Sequence, residues 1–240
     1  MGKLIVTEFM TLDGVAQAPG EPEEDTESGF THGGWQAPYA DSESGQAVFD
    51  QAKAMDALLL GRKTYDIFAG YWPHQPDSNP FAGLLNGVPK YVVSRTLTEP
   101  LTWEGTSLVE GDLAAGISAL KERHERTHVI GSLDLLQSLL QHDLVDQLHV
   151  LVYPLLLGTG KRVFADGPVP AALSLVQSRI YPNGTVQLTY DKAGKPTYGS
   201  MGWPPHLLCS QIACAGSALE RASRTCPPAA PLAGPGMMYP

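Results

Sequence analysis

Three short segments gather the residues best suited to chemistry. They are Leu60-Gly61-Arg62-Lys63-Thr64, Ser94-Arg95-Thr96 and Ile130-Gly131-Ser132. Each contains or follows the end of a short apolar run, and a helical pattern follows the first and the third. The first N–H groups of a helix have no partner inside it, so a strand–glycine–helix junction is a ready anion site. Arginine adds a planar fork that grips phosphate with two parallel hydrogen bonds, and the hydroxyls of Thr64 and Ser94 add further donors. The chain carries 25 acids against 16 bases, so bases placed at strand ends stand out. Any one junction alone reads as well as a helix cap with solvated charges. Together they predict a site for a nucleotide with several phosphates, beyond the carboxyl ends of strands, where open α/β sheets bind ligands.

The elements that must position these segments can be read from periodicity. Residues 3–10 (KLIVTEFM) alternate, with Leu4, Val6 and Glu8 on one face and Ile5, Thr7 and Phe9 on the other, and read as a buried first strand. Residues 11–40 are polar, glycine-containing and acidic over 21–27, which predicts a long loop. A helix is expected over 42–55, with Ser42 or Ser44 as its cap. Buried strands follow at 57–60, 90–94, 106–109 and 127–130. Helices are expected over 62–68, 113–126 and 132–142, the last with Leu135, Leu136, Leu139 and Leu140 on one face. Residues 146–153 alternate again. Asn183-Gly184 between the runs 173–180 and 185–191 is a strong hairpin signal. Alternating strands and helices closed by an antiparallel pair define an α/β three-layer sandwich with a mixed, mostly parallel sheet.

Composition narrows the function classes. The net charge of −9 argues against non-specific binding to nucleic acid or anionic membranes. No run of eighteen apolar residues and no signal-peptide pattern is seen, so the expected location is the cytoplasm. The histidines show no metal-ligand spacing, and no metal is expected. Residues 192–240 differ in kind: they are rich in Pro, Gly and Ala and hold Cys209, Cys214 and Cys226 at spacings that match no zinc site. They are expected to form a disordered tail to a domain at 1–191.

The segments Thr11-Leu12-Asp13-Gly14, Gly61-Arg62-Lys63-Thr64-Tyr65, Val93-Ser94-Arg95, Val129-Ile130-Gly131-Ser132 and Pro154-Leu155-Leu156-Leu157-Gly158-Thr159-Gly160-Lys161-Arg162 occur in an order that resembles the dihydrofolate reductase superfamily. The nearest branch is similar to the RibD C-terminal domain, the reductase of riboflavin biosynthesis, in a stand-alone form. The resemblance implies an NADPH-dependent reductase acting by hydride transfer on a small heterocyclic, carbonyl or imine substrate. It assigns cofactor binding to Gly61, Arg62, Lys63, Thr64, Ser94, Arg95, Gly131, Ser132, Leu133 and Asp134, with Ser94 and Arg95 near the adenosine 2′-phosphate. Asp13 is the expected catalytic residue beside the substrate, although Asp-Gly is also a common turn. Trp35, Tyr65 and Trp72 are candidates to stack on a flat ring, and Lys161 and Arg162 to grip a substrate phosphate.

Two departures from the family pattern matter. Folate reductases carry an acid in the first helix, and the matching position here is Gly45, near Asp41, Glu43 and Asp50. The family's Gly-Gly junction, often a cis peptide, is Gly131-Ser132 here. The alternatives are the 5-amino-6-(5-phosphoribosylamino)uracil reductase step of riboflavin biosynthesis and, from another class, a non-catalytic nucleotide-binding protein of the same fold. The resemblance also implies a homodimer through the late strands.

Overall fold

A computed structural model describes residues 1–76 and 78–200. Its framework is one eight-stranded sheet in the order β4-β3-β2-β5-β1-β6-β8-β7. The strands are β1 (Lys3–Thr11), β2 (Ala57–Gly61), β3 (Lys90–Val93), β4 (Thr106–Leu108), β5 (Arg126–Ile130), β6 (Gln147–Tyr153), β7 (Leu173–Ile180) and β8 (Val186–Lys192). The first six pair in parallel, and β8 runs antiparallel to both β6 and β7. The central strand β1 lies between β5 and β6, with Thr7 opposite Ile130 on one side and His149 on the other. Helices α1 (Ser42–Ala52), α2 (Arg62–Tyr71), α3 (Pro80–Gly87), α4 (Leu113–Arg123) and α5 (Leu133–Gln141) complete three layers.

Alternation along the strands decides which helix packs where. Leu59 of β2 joins Leu4, Val6 and Val129 under Ile117 and Leu120 of α4 and Leu135, Leu136 and Leu139 of α5. Leu58 and Leu60 point the other way, onto Ala52 of α1, Tyr65 of α2 and Leu85 of α3. Both faces of these parallel strands are therefore covered, which is why they read as continuous apolar runs.

Helix α3 was not anticipated from the sequence. Asn79 caps it through the Phe81 N–H, and Pro80 occupies the first turn, where no N–H is needed. At its other end the buried Lys90 donates to the carbonyls of Leu85, Asn86 and Val88, satisfying acceptors the helix leaves open. Burial lowers the Lys90 pKa to about 8.

The segment between β1 and α1, expected as a polar loop, carries a small core of its own. Val15, Ala18, Phe30 and Trp35 pack on Leu151 and Tyr153 of β6, with short 3-10 turns at Glu27–Gly29 and Ala37–Tyr39. Val15 also bridges Arg162 in antiparallel fashion. Gly160 (φ +113°) lies so close to Phe30 and Val15 that a Cβ there would fall 2.7 Å from the Phe30 ring. This close approach binds the two loops together.

Met1–Thr197 form one compact unit. The tail expectation falls mainly on 201–240, outside the described residues. Among the described residues no helix is long and apolar enough to cross a membrane, and no group of His, Cys, Asp and Glu could hold a metal ion.

Candidate functional site

The carboxyl ends of the parallel strands open into a cavity of about 1070 Å³. Its first part runs along the ends of β3, β2 and β5, where Gly61–Thr64, Ser94–Thr96 and Gly131–Asp134 line the wall. These are the three segments singled out by residue type, and the fold places them side by side. The junctions are sewn to each other. The Gly61 N–H donates to Ser132 Oγ at 3.0 Å, and Thr64 Oγ1 donates to the Gly131 carbonyl at 3.1 Å. Gly131 sits at φ +65°, a left-handed conformation that glycine adopts with little strain. The Gly131-Ser132 peptide is trans.

Helix capping separates this row from the rest of the molecule. Helices α1, α3 and α4 are capped by the side chains of Asp41, Asn79 and Asp112. Helices α2 and α5 have no side-chain cap, and theirs are the N-termini at the strand-end glycines Gly61 and Gly131. Their open N–H groups and positive dipole ends suit an anion.

The bases nearby differ in availability. Arg62 donates to Thr96 Oγ1 and pairs with Asp66. Lys63 is paired with Glu27. Arg95 lines the cavity with no hydrogen bond or ion pair among the described residues. Beside it, Ser94 Oγ accepts from the N–H groups of Thr96 and Leu97, which leaves its hydroxyl proton to donate.

The second part of the cavity lies between α1 and the α2–α3 pair, which pack over β2 and β3. Val48, Ala52, Phe68, Trp72, Phe81 and Leu85 wall it. The buried Trp72 Nε1 has no partner, so it can donate to an acceptor on a ring bound there. Gly45 lines this chamber with open space where a side chain would project. Asp41 also lines it, but its carboxylate accepts from the Glu43 and Ser44 N–H groups, from the Ser44 hydroxyl and from Asn183. Those bonds, led by the Ser44 hydroxyl, lower its pKa.

Four of the expected residues lie outside the cavity lining. Asp13 lies outside the cavity lining and holds a turn. Its carboxylate accepts from Thr11 Oγ1 and from the N–H groups of Leu157 and Gly158, and these bonds, the one from Thr11 foremost, lower its pKa. Trp35 is buried in the loop core, its indole N–H donating to the Gln17 carbonyl at 2.8 Å. Tyr65 is buried under α2, its hydroxyl accepting from the Thr102 N–H. Arg162 turns away to the Asp13 carbonyl. Each is a polar group satisfied by the fold itself. Lys161 does line the cavity, but Asp25 and Glu27 hold its ammonium at 2.6 and 2.5 Å. Burial alone would lower its pKa; the two carboxylates outweigh that and raise it.

One residue escaped the sequence reading. Glu8 of β1 is 2% exposed, lines the cavity, and has an Oε1 without a hydrogen-bond partner. Burial pushes its pKa up to about 8, so it is a neutral acid at pH 7. The available signal was an acid on the Leu4–Val6 face of a strand buried on both sides.

The α/β sheet thus sets a row of uncapped, base-bearing strand ends beside an apolar chamber. Residues 2–187 match the RibD C-terminal domain family, and the chain belongs to that family. It is 27% identical over 145 residues to the uncharacterized protein YyaP of Bacillus subtilis, covering 59% of this chain and 76% of YyaP. Its fold is similar to the "putative riboflavin biosynthesis protein" of Shewanella sp. PV-4, with TM-score 0.57 and 23% identity over 79% of this chain and 98% of that one. It is also similar to a pyrimidine reductase-like protein of Corynebacterium diphtheriae, with TM-score 0.56 and 14% identity over 80% and 92%. Against RibD of Acinetobacter baumannii the TM-score is 0.55 at 17% identity, and the match spans 80% of this chain but 58% of RibD. The family is one of riboflavin-biosynthesis reductases and their relatives, which makes this chain reductase-like.

Proposed function

We propose that the protein is an NADPH-dependent reductase of a small heterocyclic, carbonyl or imine compound. The observation that carries this reading is the pairing of two uncapped helix N-termini with an unpaired arginine on one cavity wall. The open N–H groups of α2 and α5 fit a pyrophosphate, and Arg95 with the Ser94 hydroxyl fits a ribose 2′-phosphate. When bound, the cofactor supplies a hydride, so no protein nucleophile is required. The chain binds and orients the two reactants in adjoining parts of one cavity.

The reduction of a phosphoribosyl pyrimidine finds less support, because it needs a cation for the substrate phosphate. Arg162 is outside the cavity, and Lys161 is already neutralised by Asp25 and Glu27. Dihydrofolate is disfavoured by Gly45, which leaves the chamber without a free carboxylate at that position.

Calorimetric titration of the full chain with NADPH and NADH tests the reading. NADPH should bind more tightly. Arg95→Ala should weaken NADPH by about 10- to 100-fold, the equivalent of a lost charge-assisted hydrogen bond, and leave NADH nearly unchanged. Equal weakening of both would remove Arg95 from the 2′-phosphate. Binding of neither would refute the cofactor assignment.

A further inference from the structure

The placement of Glu8, buried on β1 in the cavity wall, is costly. A carboxyl in the cavity wall whose Oε1 is buried without a hydrogen bond forfeits hydration that nothing in the protein replaces. Its position on β1 suggests what replaces it. The Gly131 N–H approaches the Thr7 carbonyl at 3.4 Å, so Glu8 is the residue of β1 next beyond the β5–α5 junction. From the end of β3, where Arg95 stands, to β1 is three strand spacings, roughly 14 Å. If the 2′-phosphate lies at Arg95 and the pyrophosphate at Gly61 and Gly131, an extended dinucleotide reaches β1 with its nicotinamide.

We propose that Glu8 binds the nicotinamide carboxamide of NADPH as a neutral acid. A protonated carboxyl and a primary carboxamide are complementary: the acid O–H donates to the amide oxygen, and the amide N–H donates to the acid carbonyl. An ionised Glu8 loses the donor and opposes the amide oxygen with its charge. This inference rests on the NADPH reading and adds to it a residue and a pH dependence. The charged groups on the other walls of the cavity are Asp134 of α5, Arg62 and Lys63 of α2, Arg95 after β3, Asp41 and Asp112 at the starts of α1 and α4, and Glu24 with the Lys161–Asp25 pair of the loops. None of them moves Glu8, whose raised pKa has burial as its whole cause.

The test titrates the full chain with NADPH and, separately, with adenosine 2′,5′-bisphosphate, which has no nicotinamide, between pH 7 and 9.5. With Glu8 titrating at about 8, NADPH affinity should fall about 30-fold over that range if only the neutral acid binds. The bisphosphate should change less than twofold. At pH 9 NADPH should take up close to one proton, read from heats in two buffers of different ionisation enthalpy. Glu8→Gln, whose amide also donates and accepts, should bind NADPH with a flat profile and no proton uptake. A flat wild-type profile would overturn the role of Glu8 while leaving the cofactor reading intact. A parallel loss of the bisphosphate, or a loss that persists in Glu8→Gln, would overturn it too. Failure of both ligands at every pH would overturn the cofactor reading itself.

Discussion

Replacing Glu8 by glutamine should make the ligand-free protein more stable, and by an amount that grows with pH. The ordinary carboxyl pKa of 4.5 rises to about 8 in the fold because burial opposes the charge. The folded state therefore holds a proton that the unfolded chain releases between those values. A group of this kind contributes its full stability below pH 4.5 and loses it as pH climbs toward 8. One pKa unit is worth about 1.4 kcal/mol. The penalty is then roughly 1 kcal/mol at pH 5, roughly 3 at pH 7 and roughly 5 at pH 9. Glutamine has nearly the same shape and no charge to suppress, so the gap between Glu8→Gln and wild type should widen along that series. At pH 7 this corresponds to a Tm rise of roughly 6–12 °C for a chain of this size. Urea denaturation followed by far-UV circular dichroism at the three pH values measures it. A gap that stays constant with pH would show that Glu8 is not a buried neutral acid, whatever the sign of the gap.

Three further outcomes are expected. Asp13→Ala should destabilise the protein by roughly 1–3 kcal/mol, since the Leu157 and Gly158 N–H groups lose their acceptor; an unchanged NADPH Kd beside the lowered Tm would fix its role as a turn residue. His128 and His149 lie with ring centroids 6.2 Å apart, and burial holds their pKa values down at about 3 and about 4. The unfolded chain takes up protons that the fold refuses, so stability should fall as pH drops from 6.5 toward 4, and a His128→Gln/His149→Gln pair should flatten that limb in a denaturation series. The edge strand β7 leaves Leu173, Leu175, Val176 and Ile180 exposed; a second copy pairing there would cover them, so sedimentation should give a dimer that Val176→Lys weakens at least tenfold, and a monomer at all concentrations would exclude this surface.

The legibility of the molecule followed from how much of each element is set locally. Alternation in 3–10 and 146–153 and the apolar runs at 57–60 and 127–130 identify strands within a residue or two, because a strand buried on both faces has no other way to look. The row of strand ends was legible for the same reason, since strand–glycine–helix punctuation marks two of its three junctions, at Gly61 and Gly131. Helix α3 was missed because eight residues containing a proline, two glycines and an asparagine carry little periodicity; Asn79 and Lys90 supply its ends from outside. Trp35 and Tyr65 were misplaced because aromatic type does not tell a ring on a wall from a ring in a core. Asp13 was misplaced because its partners, Leu157 and Gly158, lie more than 140 residues away. Glu8 is the converse: its meaning depends on a cavity that exists only after β5 and β6 have closed on either side of it.

The cluster of Lys63, Lys161, Asp25 and Glu27 at the cavity wall gives the site its own counter-ions. A phosphate that reaches Lys63 meets a cation already neutralised by Glu27, so its arrival is an exchange of one anion for another rather than the capture of a bare charge. Few ions need leave the solvent in such an exchange, and affinity should vary with ionic strength less steeply than the number of bases on the wall suggests. The displaced carboxylate belongs to the segment that packs Phe30 and Trp35 against β6. If a phosphate takes Lys63 from Glu27, that carboxylate keeps Lys161 at 2.5 Å, so phosphate and the order of the segment are coupled only as far as the Lys63–Glu27 pair itself holds the segment.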